Sequence, residues 1–136
     1  MQKNILLIDD DEDELKIFTD AVRQVPGEFK CAFAPDSEQG LVLLKSFVPD
    51  YIFVDFNIPK INGLQFISAV KNERHLREIP VFLYSTSISD EINKLAEILG
   101  AAGSIEKTFS IGMLAGELKT ILAEGRRSNY VLYNGK

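Results

Sequence analysis

The sequence has little of what several common functional sites require. Its 136 residues include one cysteine, one histidine and no tryptophan. The single cysteine, Cys31, excludes an intrachain disulfide and a cysteine-rich zinc site, and the single histidine, His75, excludes a metal site built from several histidines. Basic residues number 15 against 20 acidic ones. This negative balance argues against a nucleic-acid partner, because contacts with phosphates need clustered lysine and arginine.

Long apolar runs are also absent. No segment approaches the roughly 20 apolar residues that span a bilayer. The first apolar run, over residues 5–8, is too short for the apolar region of a signal peptide. We therefore expect a cytoplasmic protein that has no membrane partner. Hydrophobic residues make up 46% of the chain, which is typical of a globular protein, and the length favours about one domain.

The apolar residues that are present follow two alternating periods. Short runs rich in β-branched and aromatic residues predict buried strands at 5–8, 29–34, 51–54, 81–84 and 104–106. After each run, apolar residues recur at helical spacing. Five such units predict an α/β fold, with a doubly wound five-stranded parallel sheet and helices on both faces. The flavodoxin-like strand order 2-1-3-4-5 fits five units of this size.

Short polar signals mark where the predicted helices begin and end. Asp11 and Ser110 are typical N-caps of the first and fifth helices, Asn62 precedes the third, and Gly100 is typical of a left-handed cap after the fourth. The apolar stripes that predict the second, third and fourth helices are Leu41, Leu44 and Val48, then Leu64, Ile67 and Val70, then Ile92, Leu95 and Leu99.

Polar residues follow the strands at the carboxyl edge of this sheet. Asp9 and Asp10 follow the first strand, Asp55 the third, Ser85 the fourth and Lys107 the fifth. Ligands of open α/β sheets bind outside this edge where the strand order reverses, which lies here between strands 1 and 3. Three carboxylates at that point carry more negative charge than one lysine offsets, which favours a bound cation. Mg²⁺ fits, because it prefers oxygen ligands and keeps several waters. A carboxylate, a metal ion, an amine and a hydroxyl together indicate phosphoryl transfer.

Four stretches, over residues 5–11, 49–63, 79–87 and 100–109, carry a family resemblance in their order and spacing. The most specific is the Asp-x-x-x-Pro-x-x-x-Gly pattern from Asp55 to Gly63, which the acidic pair precedes and Lys107 follows. On these residues the chain resembles the receiver domains of two-component response regulators. We predict a receiver domain over residues 1–125 and a short C-terminal tail over residues 126–136.

The resemblance implies a role for each matched residue. Asp55 would accept a phosphoryl group from a histidine kinase or a histidine phosphotransfer protein. Asp9 and Asp10 would hold magnesium together with Asp55, and the backbone carbonyl of Asn57 would be a further ligand. The domain would catalyse only its own phosphorylation and dephosphorylation. Its output would be a contact with a downstream protein, which is unknown, or passage of the phosphoryl group along a relay.

Two further residues would contact the phosphoryl group. Ser85 occupies the position at which the family has a threonine or serine that donates a hydrogen bond to this group, and Lys107 would pair with it. The neighbouring Thr86 takes the place of Ser85 if the register of the fourth strand differs by one residue.

The chain departs from the family pattern at two positions. Thr108 follows Lys107, where the family usually has a proline joined by a cis peptide bond; without proline a cis bond costs about 2.5–4 kcal/mol. Ser104 stands where the family often has an aromatic residue that turns inward on activation. On phosphorylation the Ser85 hydroxyl should move toward the phosphoryl group, and Ser104 is too small to fill the space that it vacates. We predict that another aromatic side chain fills this space on activation, and Tyr84 and Phe109 are the candidates nearby in the sequence.

Two other functions are compatible with parts of the pattern. A phosphatase of the haloacid-dehalogenase type has an Asp-x-Asp nucleophile after its first strand, which Asp9 and Asp11 match. Such an enzyme needs further acids after a later strand, and Asp55 would have no role in it. A degenerate receiver that binds partners without phosphate is the other alternative, and the intact acidic residues with Lys107 argue against it.

Overall fold

The computed structural model describes residues 2–107 and 110–124, in which strands and helices alternate along the chain. The strands are β1 (Lys3–Ile8), β2 (Phe29–Ala34), β3 (Tyr51–Val54), β4 (Val81–Ser85) and β5 (Gly103–Glu106). The helices are α1 (Glu12–Arg23), α2 (Ser37–Leu43), α3 (Gly63–Asn72), α4 (Asp90–Leu99) and α5 (Ile111–Glu124). None of these described helices is long and apolar enough to cross a membrane.

The five strands form one parallel sheet in the order β2-β1-β3-β4-β5. The predicted fold class and strand order are therefore confirmed. Ile8 pairs with Ala34 on one side and with Val54 on the other, so β1 and both of its neighbours end at the same level. Because the strand order reverses between β1 and β3, the residues that follow these two strands lie side by side at a topological switch point.

Each face of the sheet packs against its own layer of helices. One core joins the sheet to α1 and α5, and the other joins it to α2, α3 and α4. Alternate residues of a strand point to opposite faces. In β4, Phe82 and Tyr84 therefore belong to the α1–α5 core, whereas Val81 and Leu83 belong to the other core. This alternation decides which side of the sheet each residue near the carboxyl edge can contact.

The predicted caps are present at the ends of the helices. The side chains of Asp11 and Ser110 accept hydrogen bonds from backbone N–H groups in the first turns of α1 and α5. Asn62 and Gln65 form a reciprocal capping box at the start of α3. Gly100 ends α4 with a φ of 109°, in the left-handed region that glycine adopts without strain.

Two apolar stripes differ from the prediction. α2 ends at Leu43, and the turns after it have hydrogen bonds that reach back three residues instead of four. Val48, which the prediction placed on the buried stripe of this helix, is 55% exposed. In α4 the prediction placed Leu95 on the buried stripe, but this residue is 41% exposed. Its small neighbour Ala96 is fully buried instead, in the helix that packs against α3 and β5.

Three predictions concern residues outside the described ranges. They are the geometry of the peptide bond before Thr108, the placement of Phe109 and the tail over residues 126–136. These points, and the domain boundary at residue 125, stay predictions.

Gly63 brings the start of α3 against the loop that follows β3. A Cβ atom at this position would lie 2.7 Å from the backbone oxygen of Asp55 and 2.9 Å from Cα of Phe56. Because backbone atoms cannot yield without moving the loop, we expect Gly63→Ala to lower the free energy of unfolding by about 1–3 kcal/mol in urea titrations.

Gly116 on α5 is the matched control, because no other group lies within 4 Å of a Cβ atom built there. Gly116→Ala should raise the free energy of unfolding by about 0.5–1 kcal/mol, since alanine favours the helix interior. Equal effects of the two substitutions would contradict the close approach at Gly63.

Candidate functional site

The residues predicted to form a site converge at the carboxyl edge of the sheet. Asp9 and Asp10 follow β1, Asp55 follows β3, Ser85 ends β4 and Lys107 follows β5. Asp9, Asp55 and Ser85 are buried, at 1%, 6% and 1% exposed, whereas Asp10 is exposed. The parallel strands bring these distant parts of the chain together because all of them end at this edge.

Three donors orient the carboxylate of Asp55. Its Oδ1 atom accepts a hydrogen bond from Oγ of Ser85 at 2.8 Å and one from the backbone N–H of Asn57 at 3.1 Å. Its Oδ2 atom accepts one from Nζ of Lys107 at 3.0 Å. Both oxygen atoms are therefore held in place, and the carboxylate presents a defined face to the edge of the sheet.

Lys107 links the carboxylates of Asp9 and Asp55. Its side chain is 7% exposed, and Nζ lies 2.8 Å from Oδ2 of Asp9 as well as 3.0 Å from Oδ2 of Asp55. The contact with Asp9 is a close ion pair without hydrogen-bond alignment, since this Oδ2 atom has no aligned donor among the described residues. Oδ1 of Asp9 accepts a hydrogen bond from the N–H of Asp11 at 3.0 Å, which fixes the carboxylate.

Burial and pairing act against each other at this site. Burial raises the pKa of Asp9 above its ordinary value, although Lys107 and the N–H of Asp11 act in the opposite direction. Burial by itself lowers the pKa of Lys107, but its close contacts with the carboxylates of Asp9 and Asp55 outweigh that effect, and the pKa is raised overall. The lysine is therefore charged at neutral pH and compensates one carboxylate only.

The carboxylates of Asp9, Asp10 and Asp55 fit a divalent cation. Each offers an oxygen atom, and these atoms all lie within 4.8 Å of one another. The donor set consists of oxygen, carries more negative charge than Lys107 offsets, and is open to solvent on the side of Asp10. Hard cations that keep several waters suit such a site. Asn57 lies in the adjacent loop, and its backbone carbonyl stays a predicted ligand.

The structure distinguishes Ser85 from Thr86. The hydroxyl of Ser85 contacts Asp55, whereas Thr86 is exposed. The register of β4 is thus the one that the sequence analysis preferred. The function of the Ser85 hydroxyl stays a prediction.

Tyr84 does not lie beside Ser104, so the prediction that it fills the space there is wrong. Ser104 pairs with Leu83 in the register of β4 and β5, whereas Tyr84 pairs with Ile105. Tyr84 and Ile105 belong to the α1–α5 core, and alternation along the strands directs Ser104 to the opposite face. A side chain cannot cross the sheet to reach that space.

Two contacts around the site were not predicted. The hydroxyl of Tyr84 donates a hydrogen bond to Oε1 of Glu14 in α1 at 3.3 Å. Oε2 of Glu106 accepts one from the N–H of Ile88 at 3.1 Å and so ties the loop after β4 to β5. Each pair joins residues that are far apart in the sequence, and no local motif indicates such pairs.

Burial raises the pKa of Tyr84 well above its ordinary value, and the nearby carboxylates of Glu14, Asp9 and Asp55 add to this effect. The hydroxyl therefore stays protonated and acts as the donor toward Glu14.

The fold and the site define a doubly wound α/β domain with a cluster of acidic residues at its switch point. The family model of the response regulator receiver domain matches residues 5–119. The chain therefore belongs to the response regulator receiver domains. This membership implies phosphorylation-dependent two-component signalling, in which receiver domains take phosphate from histidine kinases or phosphotransfer proteins.

Relatives include longer and shorter proteins. The chain is 26% identical to a probable cyclic di-GMP phosphodiesterase of Vibrio cholerae, over 98% of the chain and 29% of that protein. It is 29% identical to the probable C4-dicarboxylate response regulator DctR of Bacillus subtilis, over 79% of the chain and 46% of that protein. The chain thus spans less than half the length of these two relatives. It is 24% identical to the probable chemotaxis protein CheY of Rhizobium etli, over 86% of the chain and 90% of that protein.

Solved structures of response regulators share the fold. The phosphorylated cyanobacterial phytochrome response regulator RcpA has a TM-score of 0.80 and 23% identity, over 88% of this chain and 91% of that one. The Mn²⁺-bound form of response regulator Rcp1 has a TM-score of 0.78 and 20% identity, over 89% of this chain and 92% of that one.

Asp10 offers a test of cation binding that leaves the buried packing intact, because this residue is exposed. Its removal relieves repulsion with Asp9 and Asp55 and also removes an oxygen ligand. We expect Asp10→Asn to raise the metal-free Tm by about 2–4 °C. Its Mg²⁺ affinity, measured by isothermal titration calorimetry, should fall about tenfold, since a charged ligand is lost.

Asp90→Asn is the control, because Asp90 is an exposed acid in the first turn of α4 and lies outside the acidic cluster. It should leave the Mg²⁺ affinity unchanged. Unchanged affinity in Asp10→Asn would remove Asp10 from the ligand set.

Proposed function

We propose that this domain is a signalling switch in which Asp55 accepts a phosphoryl group from a histidine kinase or a histidine phosphotransfer protein. The observation that carries the proposal is the environment of the Asp55 carboxylate. It is buried, three donors orient it, and it shares a potential cation site with Asp9 and Asp10. A nucleophilic carboxylate needs this combination of fixed geometry and nearby positive charge.

The transfer exchanges one bond to phosphorus for another. An oxygen of Asp55 attacks the phosphorus of the donor's phosphohistidine, and an O–P bond forms while the P–N bond breaks. The electron pair of the broken bond stays on nitrogen, which leaves as neutral imidazole when the other ring nitrogen carries a proton. Water later attacks phosphorus, which restores the carboxylate and releases inorganic phosphate. The domain thus catalyses only its own phosphorylation and dephosphorylation.

Two side chains are placed to stabilise the phosphoryl group. Nζ of Lys107 and Oγ of Ser85 each contact a different oxygen of Asp55, so whichever oxygen carries phosphorus has one donor on it and the other donor on its neighbour. Donors at these places offset the negative charge on the equatorial oxygens during transfer.

Asp9, Asp10 and Asp55 would hold Mg²⁺, with the backbone carbonyl of Asn57 as a further ligand. When bound, the ion supplies positive charge that offsets the charge of the phosphoryl oxygens. The oxygen-only donor set supports this assignment, and the Mn²⁺-bound form of Rcp1 shows a divalent cation with a protein of the same fold. Lys107 and the N–H of Asp11 each contact one oxygen of Asp9, so the orientation of this carboxylate is already fixed.

The activity in the name of the Vibrio cholerae relative does not extend to this chain in our proposal. The chain matches 29% of that protein, and this match coincides with the receiver fold. Receiver domains are generally not classical enzymes. The output is a contact with a downstream protein or onward transfer of the phosphoryl group in a relay.

Asp55 is the residue whose loss should abolish labelling. Incubated with acetyl phosphate and Mg²⁺, the protein should gain one phosphoryl group, detected by intact-protein mass spectrometry and released by hydroxylamine. Asp55→Asn should gain none, because an amide is a poor nucleophile toward phosphorus. Asp9→Asn is the comparison that separates this proposal from the phosphatase alternative. Labelling of Asp55→Asn together with loss of labelling in Asp9→Asn would identify Asp9 as the nucleophile.

The hydroxyl of Ser85 should act in phosphorylation and in the response of the loop after β4. Removal of one donor toward developing charge costs about 10²–10³ in rate in preorganised sites, so we expect Ser85→Ala to be labelled more slowly by about tenfold or more. Its NMR shift changes on beryllofluoride binding should also shrink over residues 86–106. Thr86→Ala removes an exposed hydroxyl next to it and is the matched control. Full-size shift changes in Ser85→Ala would refute the role of this hydroxyl in the switch.

A further inference from the structure

Tyr84 lies directly before Ser85 in β4 and reaches the site from the other face of the sheet. Its ring is fully buried in the α1–α5 core. Nζ of Lys107 lies 5.5 Å from the centre of this ring. That distance is within the range in which a lysine ammonium is attracted to the face of an aromatic ring.

The ring completes the surroundings of the buried ammonium group. Lysine has three N–H donors and no acceptor. On one side, Nζ of Lys107 meets the carboxylates of Asp9 and Asp55 at 2.8 and 3.0 Å. The electron-rich face of Tyr84 lies on another side and replaces part of the hydration that burial removes.

The position of the ring is itself fixed by two contacts with α1. The ring of Phe18 packs against Tyr84 with 5.6 Å between the ring centres and 59° between the ring planes. The Tyr84 hydroxyl donates its hydrogen bond to Glu14, in the first turn of the same helix. Such a ring is a rigid support, whereas the stem of a lysine is flexible and adopts many rotamers when nothing restrains it.

The backbone places Lys107 above this support. Its N–H donates a hydrogen bond to the backbone oxygen of Ser85 at 2.8 Å, and Tyr84 pairs with Ile105 in the preceding register. The backbone of Lys107, directly after the end of β5, therefore lies beside Ser85. Its amine then lies between the Tyr84 ring and the two carboxylates.

We propose that Tyr84 is a positioning residue, whose ring holds Lys107 against Oδ2 of Asp55. Two consecutive residues of β4 then control both oxygens of this carboxylate. Ser85 acts on Oδ1 directly, and Tyr84 acts on Oδ2 through Lys107. The inference rests on the proposed function, because it concerns the lysine that would pair with the phosphoryl group.

The main test measures how fast each variant is labelled by saturating acetyl phosphate at saturating Mg²⁺. Tyr84→Leu should be labelled about fivefold more slowly, which is the size expected when a cation–π contact is lost. Its Mg²⁺ affinity should be unchanged, because the acidic cluster stays intact. Tyr51→Leu is the matched control: Tyr51 is a fully buried tyrosine of the same core, placed at the start of β3 away from the carboxyl edge. It should lower stability without slowing the labelling of the folded protein.

Two further variants show whether Tyr84 acts through its ring and through Lys107. Tyr84→Phe keeps the ring and should restore the rate to within about twofold of the unsubstituted chain. In a Lys107→Ala background, Tyr84→Leu should cost less than about twofold, because residues that act on the same step are not additive. A purely structural role of Tyr84 would give the same fold loss in both backgrounds.

The outcomes are distinguishable from failure of the proposed function. If the unsubstituted chain is not labelled at all, the proposed function fails. If that chain is labelled normally, three results overturn the role of Tyr84 alone: an unchanged rate in Tyr84→Leu, equal losses in Tyr84→Leu and Tyr51→Leu, or equal losses in Tyr84→Leu and Tyr84→Phe.

Discussion

The carboxyl edge of the sheet depends on one electrostatic constraint. Asp9 and Asp55 are buried side by side, and the ammonium group of Lys107 lies between their Oδ2 atoms. Two buried carboxylates repel each other strongly at this range, and each loses hydration on burial. The lysine makes their burial tolerable but leaves excess negative charge, to which the exposed Asp10 adds. A site with this excess of negative charge favours a cation.

The parallel sheet makes this arrangement possible. β1 and β3 are neighbours that end at the same level, so the residues after them meet although 46 positions separate Asp9 from Asp55. Gly63 lies so close to the backbone of Asp55 and Phe56 in the β3–α3 loop that a Cβ atom would not fit between them. β4 and β5 end at the same edge. The hydroxyl of Ser85 and the amine of Lys107 there contact the two different oxygens of the Asp55 carboxylate.

The two faces of the sheet give β4 two separate connections to the site. Ser85 ends the strand at the carboxylate of Asp55, and the loop after it is tied to β5 through Glu106. Tyr84 faces the other way, toward Phe18 and Glu14 of α1. Contacts from the site therefore extend toward the loop before α4 on one face and toward α1 on the other. Strand alternation separates these contacts, because neighbouring residues of a strand cannot share a face.

The sequence by itself determined the fold class, the strand order and which residues converge at the carboxyl edge of the sheet. Alternating periods of apolar residues identify the strands and helices locally, and a parallel sheet brings the residues after its strands to one edge. Tertiary structure alone decided which residues face each other across that sheet. It placed Tyr84 on the face of the sheet opposite Ser104 and joined its hydroxyl to Glu14, which lies 70 positions earlier. In α4 it buried Ala96 and left Leu95 partly exposed. Such contacts depend on packing between distant elements, which no local pattern of residues encodes.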